Sequence, residues 1–226
     1  MATRAPELTD DDLASIALFP LPDVVLFPGV LLPLHVFEPR YRELMADVLS
    51  GNRVLAIPRL RPGFEPEYFG RPSVYDICGA GSVVQDKKLP DGRYNVVVSC
   101  LARVRIVEEL PSGSYRRARA ERVPDLDPEP REAISAWHAQ LVSLCNKLAP
   151  YVTSRGRTLE QMIREAPDAT ACANCIASAV IADADERQRL LEERDPAQRM
   201  ARLVEQLYEL LAALQADEPL RASELN

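Results

Sequence analysis

Cys172 and Cys175 have the sharpest chemical spacing in the chain, because two thiolates three residues apart can share a metal ion or form a redox bond. A zinc site would need a second ligand pair at similar spacing, and thioredoxin-type chemistry would need a strand–helix–strand setting. Neither is present. The pair lies among Ala171, Ala173, Ile176 and Ala177 in a helical run, and it reads as two small apolar residues on a buried helix face. The only histidines are His35, in an apolar strand, and His138, on a helix of the other half, and both read as structural. No Gly-x-Ser-x-Gly elbow accompanies them, so a serine hydrolase lacks both base and nucleophile. A phosphate-binding loop is excluded because no glycine precedes a lysine anywhere in the chain. Gly79-Ala-Gly81 opens like a dinucleotide fingerprint, but Val84 stands where the third glycine belongs, so the glycines predict a bulge or a close approach of backbones. The sequence therefore predicts no catalytic residue, no metal and no cofactor.

Binding is better represented. Arg116, Arg117, Arg119 and Arg122 form the one dense basic run, on a predicted strand after Tyr115. Such a stripe suits RNA, but the same arginines can line a solvated strand face and pair with Glu108, Glu109 and Glu121, the reading we favour. The loop from Arg59 to Pro72 carries Phe64, Tyr68 and Phe69 among prolines and glycines. Aromatic residues in such a loop either pin it to a core or wait for a partner. Glu38-Pro39-Arg40 opens a short helix, placing Glu38, Arg40 and Arg42 at a helix start while Tyr41 and Leu44 turn inward. Ionic groups beside an apolar wall suit an unfolded segment, and they equally suit pairing that holds the helix to a sheet.

These residues must be positioned by two differently built halves. The chain has 226 residues, 47% hydrophobic and 27% charged, the composition of a globular protein. Eight of the nine glycines and all five phenylalanines precede residue 124, while the remainder is rich in the helix formers Ala, Leu, Glu and Arg. Residues 1–123 balance 16 basic against 16 acidic side chains, so the second half holds the whole net charge of −7. That sign opposes general nucleic-acid binding. We expect a β-rich lobe over 1–123, an acidic proline-punctuated linker over 124–130 and a helical bundle over 131–226. Strands are predicted near Ile16–Phe19, Leu31–Val36, Arg53–Pro58, Val74–Val84, Arg93–Cys100, Ala102–Glu108 and Tyr115–Val123, joined in antiparallel fashion, with one short helix over Pro39–Leu49. Helices are predicted over Arg131–Leu148, after a Thr158/Gln161 capping box, after Asp168, and from Asp195-Pro196, with Met200, Leu203, Val204, Leu207, Leu210, Leu211 and Leu214 on one face of the last. An odd count of five cysteines and an acidic start without a signal peptide predict a reducing, cytoplasmic setting. The apolar stretch Ile16–Phe37 holds four prolines and Asp23, so it is not a membrane span.

Several blocks together resemble the amino-terminal substrate-binding domain of the ATP-dependent Lon protease in a short stand-alone form. They are Phe19-Pro-Leu-Pro-Asp-Val-Val-Leu-Phe-Pro-Gly29, Leu32-Pro-Leu-His-Val-Phe-Glu-Pro-Arg-Tyr41, Leu89-Pro-Asp-Gly-Arg93, Arg103-Val-Arg-Ile106 and Glu186-Arg-Gln-Arg-Leu-Leu-Glu-Glu-Arg-Asp195. The chain departs from the pattern at Cys100, Cys172 and Asn174. The resemblance implies an α+β protein: an antiparallel, PUA-like pseudo-barrel lobe followed by an α-helical bundle. It also implies a non-enzymatic module that recognises unfolded or flexible protein segments, as an adaptor or chaperone-like factor beside a protease or chaperone. Neither an ATPase nor a protease module fits into 226 residues. Glu38, Arg40, Arg42, Phe64, Tyr68 and Phe69 are the expected peptide contacts, and RNA binding through Arg116, Arg117, Arg119 and Arg122 is the alternative.

Overall fold

The computed structural model describes residues 7–111, 113–127, 131–151 and 159–224. The chain divides into two compact units, residues 1–124 and 125–226. The first unit begins with helix α1 (Asp10–Ala14), which Thr9 and Asp12 close with a reciprocal capping box. Strands β1 (Ile16–Leu18) and β2 (Leu31–Val36) follow, then helix α2 (Pro39–Ser50) and strand β3 (Val54–Ile57). The loop after β3 contains a single 3-10 turn, Glu65–Glu67. Strands β4 (Ile77–Lys88), β5 (Tyr94–Leu110) and β6 (Arg116–Arg122) complete the unit.

The six strands lie in the order β2-β5-β4-β3-β1-β6, and β5 pairs with β6 as well, so five strands close into a ring with β2 on its outside. Pairing is antiparallel except between β1 and β3, which run parallel with Ala17 opposite Leu55. The sheet is therefore mixed, which corrects the all-antiparallel expectation. The reason is topological: the chain between β1 and β3 passes through β2 and α2, long enough to return in the same direction. The expected strand pair Arg93–Cys100 and Ala102–Glu108 is one continuous strand, β5, whose pairing with β4 shifts register between Ala80 and Gly81. A bulge absorbs Leu101 there without ending the ladder. Neither glycine could carry a side chain: a Cβ on Gly79 would stand 2.2 Å from the Leu26 carbonyl oxygen, and one on Gly81 2.2 Å from that of Ser99. The two glycines therefore serve close backbone approach, as their spacing predicts.

Strand alternation sends Ala17, Leu55 and Ile57 to one face and Ile16, Leu18, Val54 and Ala56 to the other, and both faces are covered. On the first face α2 lays down Tyr41, Leu44, Met45 and Val48, spaced three or four residues apart. Leu8 and Leu13 cover part of the second.

The second unit is helical: α3 (Arg131–Leu148), α4 (Leu159–Glu165), α5 (Ala169–Val180), α6 (Ala184–Glu192) and α7 (Pro196–Glu224). Asp168 caps α5 through the Ala171 amide at 2.7 Å, and Asp195 accepts from the Ala197 amide at 2.8 Å at the start of α7. Met200, Leu203, Val204, Leu207 and Leu211 are buried along α7, with Leu210 and Leu214 at the margin of that face. The Thr158 capping residue lies outside the described residues.

Candidate functional site

Pro39 fixes the first helical φ of α2 and holds Glu38 in extended backbone, and the Glu38 side chain makes no capping hydrogen bond. It turns instead to Arg40 and Tyr68. The Arg40 Nε donates to Glu38 Oε2 at 3.1 Å, the Arg40 Nη2 donates to the Tyr68 carbonyl oxygen at 3.1 Å, and the Tyr68 hydroxyl donates to Glu38 Oε1 at 2.8 Å. The guanidinium carbon lies 4.6 Å from the Tyr41 ring centroid and 5.3 Å from that of Tyr68. This network is a clamp between the start of α2 and the long loop. Burial, with the Glu38 hydrogen bond, raises the Tyr68 phenol above its ordinary pKa, so it stays a donor to Glu38. Burial also pushes the Tyr41 phenol up to about 12.

On this clamp stands an aromatic group. Phe64 and Tyr68 lie 6.0 Å apart by ring centroid, and Phe69 meets Tyr68 edge-on at 5.2 Å. Phe69 itself is 86% exposed, the most exposed large apolar side chain among the described residues. The structure thus brings Glu38, Arg40, Phe64, Tyr68 and Phe69 together. Arg42 is carried round the helix to the β4–β5 turn, where its guanidinium covers Gly92 so closely that a Cβ there would overlap it.

The four arginines of β6 are dispersed. Arg116 is buried, with Nε donating to Glu109 Oε2 at 3.0 Å, Nη2 bonded to Glu109 Oε1 and Nη1 donating to the Pro72 carbonyl at 2.7 Å. Arg117 donates to the Ser15 hydroxyl at 2.9 Å and to the Tyr115 hydroxyl at 3.1 Å. Arg119 meets Glu108 at 3.5 Å, and Arg122 donates to Asp10 Oδ1 at 2.6 Å and to the Leu8 carbonyl. Arg116 also reaches the first cluster. It shares with Arg40 and Phe69 a cleft of ≈ 230 Å³, whose other walls are Pro20, Tyr41, Gly70, Arg71, Gly113, Ser114 and Tyr115. Arg71 and Ser114 carry no periodic or motif signal in the sequence, because each sits in or beside a turn, and Tyr115 reads only as the start of a strand.

The remaining chemical candidates are quiet. His35 is exposed on β2, bonded through Nδ1 to Asn95 Oδ1 at 2.6 Å and stacked on Phe37 at 6.2 Å. Cys172 is buried on α5, and burial pushes its thiol up to about 11; Cys175 is half-buried beside it. Among the described residues no group of three or more His, Cys, Asp or Glu side chains is placed to hold a metal ion. Among them also no helix is long and apolar enough to cross a membrane.

The chain thus combines a ring-like mixed sheet and a helical second unit with a clamped loop on which Phe69 is exposed beside half-buried Phe64 and Tyr68. The profile of the ATP-dependent protease La (LON) substrate-binding domain matches residues 15–209. The chain belongs to that family. Curated relatives include Lon protease 1 of Herpetosiphon aurantiacus, 26% identical over 209 residues, which are 92% of this chain and 26% of the relative. Another is Lon protease 2 of Syntrophobacter fumaroxidans, 33% identical over 110 residues, which are 49% of this chain and 14% of the relative. The chain thus spans about a quarter or less of these proteases, and the match is to their N-terminal part. Among solved structures, the N-terminal domain of Mycobacterium avium complex Lon protease shares the fold, with a TM-score of 0.66 at 14% identity over 86% of this chain and 98% of that one. The Lon N-terminal domain protein from Xanthomonas campestris gives 0.54 at 19% identity, over 84% and 96%.

Proposed function

We propose that the chain is a non-catalytic recognition module for exposed apolar segments of unfolded or flexible protein. In this reading Phe64, Tyr68 and Phe69 make the contact, and Glu38 and Arg40 hold them in place. Membership in a substrate-binding family supports a protein ligand. The observation that carries the reading is Phe69, 86% exposed on a loop tied down by two hydrogen bonds to the start of α2. An apolar side chain kept in water on a pre-ordered platform loses little entropy when a partner covers it. Arg42, turned toward Gly92, stands apart from this surface. An adaptor or chaperone-like role beside a protease or chaperone follows from the same reading. Five free cysteines agree with a reducing, cytoplasmic setting. The two units act as a β-rich recognition lobe and a helical lobe joined through residues 124–130.

RNA binding through β6 is the weaker reading, because Arg116, Arg117, Arg119 and Arg122 each already hold a carboxylate, hydroxyl or carbonyl. Phosphate would have to displace those partners. The deciding experiment is fluorescence anisotropy with labelled, unfolded β-casein. Phe69→Ala should weaken binding about tenfold, or roughly 1.4 kcal/mol, with an unchanged melting temperature. Undiminished casein binding by both Phe69→Ala and Phe64→Ala would refute the reading.

A further inference from the structure

The cleft of ≈ 230 Å³ beside Phe69 has a chemistry that the apolar platform alone does not need. Among the residues that line it are three arginines, Arg40, Arg71 and Arg116, and no carboxylate, in a half of the chain whose charges balance overall. The acids that balance them lie outside the lining: Glu38 holds Arg40, and Glu109 holds Arg116 and stands 3.9 Å from Arg71. Those pairings orient the guanidinium groups without using them up. Arg40 commits Nε and Nη2 and leaves Nη1 with no partner among the described residues. Arg116 is 92% buried by its 8% exposure, spends one donor each from Nε, Nη1 and Nη2, and keeps its remaining protons. The Ser114 hydroxyl, in the same wall, likewise has no partner among the described residues. Tyr41 and Phe69 supply the apolar side.

Resting on the recognition reading above, we infer that this cleft takes the carboxy-terminal residue of an unfolded polypeptide, its α-carboxylate on Arg40, Arg116 and Ser114 and its apolar side chain against Phe69. Planar guanidinium forks match the two oxygens of a carboxylate, and their preset orientation favours that shape over a point charge. At about 30 Å³ per water the cleft holds roughly eight waters, room for one residue with its terminal carboxylate.

The test uses the full chain and three fluorescent octapeptides: one ending in leucine with a free carboxylate, its C-terminal amide, and an amidated version with an internal aspartate. The free acid should bind about tenfold more tightly than either amide. Ser114→Ala and Arg40→Lys should each shrink that preference, and circular dichroism should show both variants folded. Equal binding of acid and amide overturns the inference, as does an internal aspartate that binds as well as the free terminus, or competition by a single-stranded RNA at equal charge. If acid and amide bind alike while Phe69→Ala still weakens casein binding, the inference fails and the recognition reading stands. If casein does not bind at all, the recognition reading fails first.

Discussion

Arginine serves opposite ends in the two units. In the helical unit Arg199 is 1% exposed, its Nη1 and Nη2 held by the two oxygens of Asp125 at 2.9 and 2.7 Å, with a further bond from Nη1 to the Glu193 carbonyl at 2.7 Å. This pairing ties the start of the unit's chain to the first turns of α7. In the β unit Arg40, which lines the cleft, keeps 19% of its side chain exposed, splits its bonds between Glu38 and a loop carbonyl, and has one nitrogen without a partner among the described residues. Both keep an unpartnered nitrogen, but that of Arg199, Nε, is buried and can take no ligand, whereas Arg40 lines a cleft. That difference supports the proposed cleft in the β unit over the Arg199 pairing as a place for a ligand.

The contrast can be broken most forcefully at Arg199. Arg199→Ala would leave a cavity where a 1% exposed side chain stood and take the hydrogen bonds from Asp125, itself 28% exposed, and from the Glu193 carbonyl, so it should cost about 2–4 kcal/mol, read as a lower urea midpoint. An unchanged midpoint would mean that the pair is not structural. Gly81→Ala should come next, at roughly 1–3 kcal/mol, because its Cβ meets a backbone oxygen in the β4–β5 ladder rather than a movable side chain. A well-folded alanine variant of undiminished stability would show that the ladder can open there.

Both positions also measure how far the sequence could be read. Gly79 and Gly81 declared their role through spacing, and α2 declared itself through Pro39 and the three- and four-residue rhythm of Tyr41, Leu44, Met45 and Val48. Helix α1 did not, although Thr9 and Asp12 carry the capping pattern, because five residues are too few for periodicity to show. The parallel β1–β3 pair was hidden because direction is set by connections, not by residue type. Strand β4 runs on to Lys88 although apolar alternation stops at Val84, since its last residues stay in register with β5 while facing water, and Lys88 lies over the ring of Tyr94 opposite it. At the site, Phe64, Tyr68, Phe69, Glu38 and Arg40 were legible as residue types. Their clamp was not, because Arg40 reaches a backbone carbonyl 28 positions away.

A smaller effect separates the units by pH. Glu186 in the helical unit is buried, which alone would raise its pKa, but hydrogen bonds from Arg202 and Arg189 outweigh burial and hold the carboxyl below the ordinary glutamate value. A depressed folded-state pKa stabilises the protein above the unfolded value, near 4.3, and that stability is lost as pH falls through the folded value. Wild-type stability should therefore fall more steeply than that of Glu186→Gln as acid is added, by about 1 kcal/mol in all, in denaturant titrations from pH 6 downward. Parallel curves would remove Glu186 from the list of supports.

The smallest effect belongs to Arg119, and it tests whether β6 is a functional stripe or a paired strand face. Arg119 and Glu108 meet at 3.5 Å with side chains 51% and 63% exposed, so water screens the charges and both long side chains lose freedom to hold the contact. Arg119→Ala should shift stability by less than about 0.5 kcal/mol and leave casein binding unchanged. Arg116, three positions earlier on the same strand, is buried against Glu109 and the Pro72 carbonyl, and its loss should be felt in both measurements. A binding defect in Arg119→Ala equal to that of Phe69→Ala would move the contact surface onto the solvent face of β6. A neutral Arg119 beside a sensitive Arg116 would instead keep the surface in the cleft, where the alternation of the strand turns Arg116 and leaves Arg119 facing water.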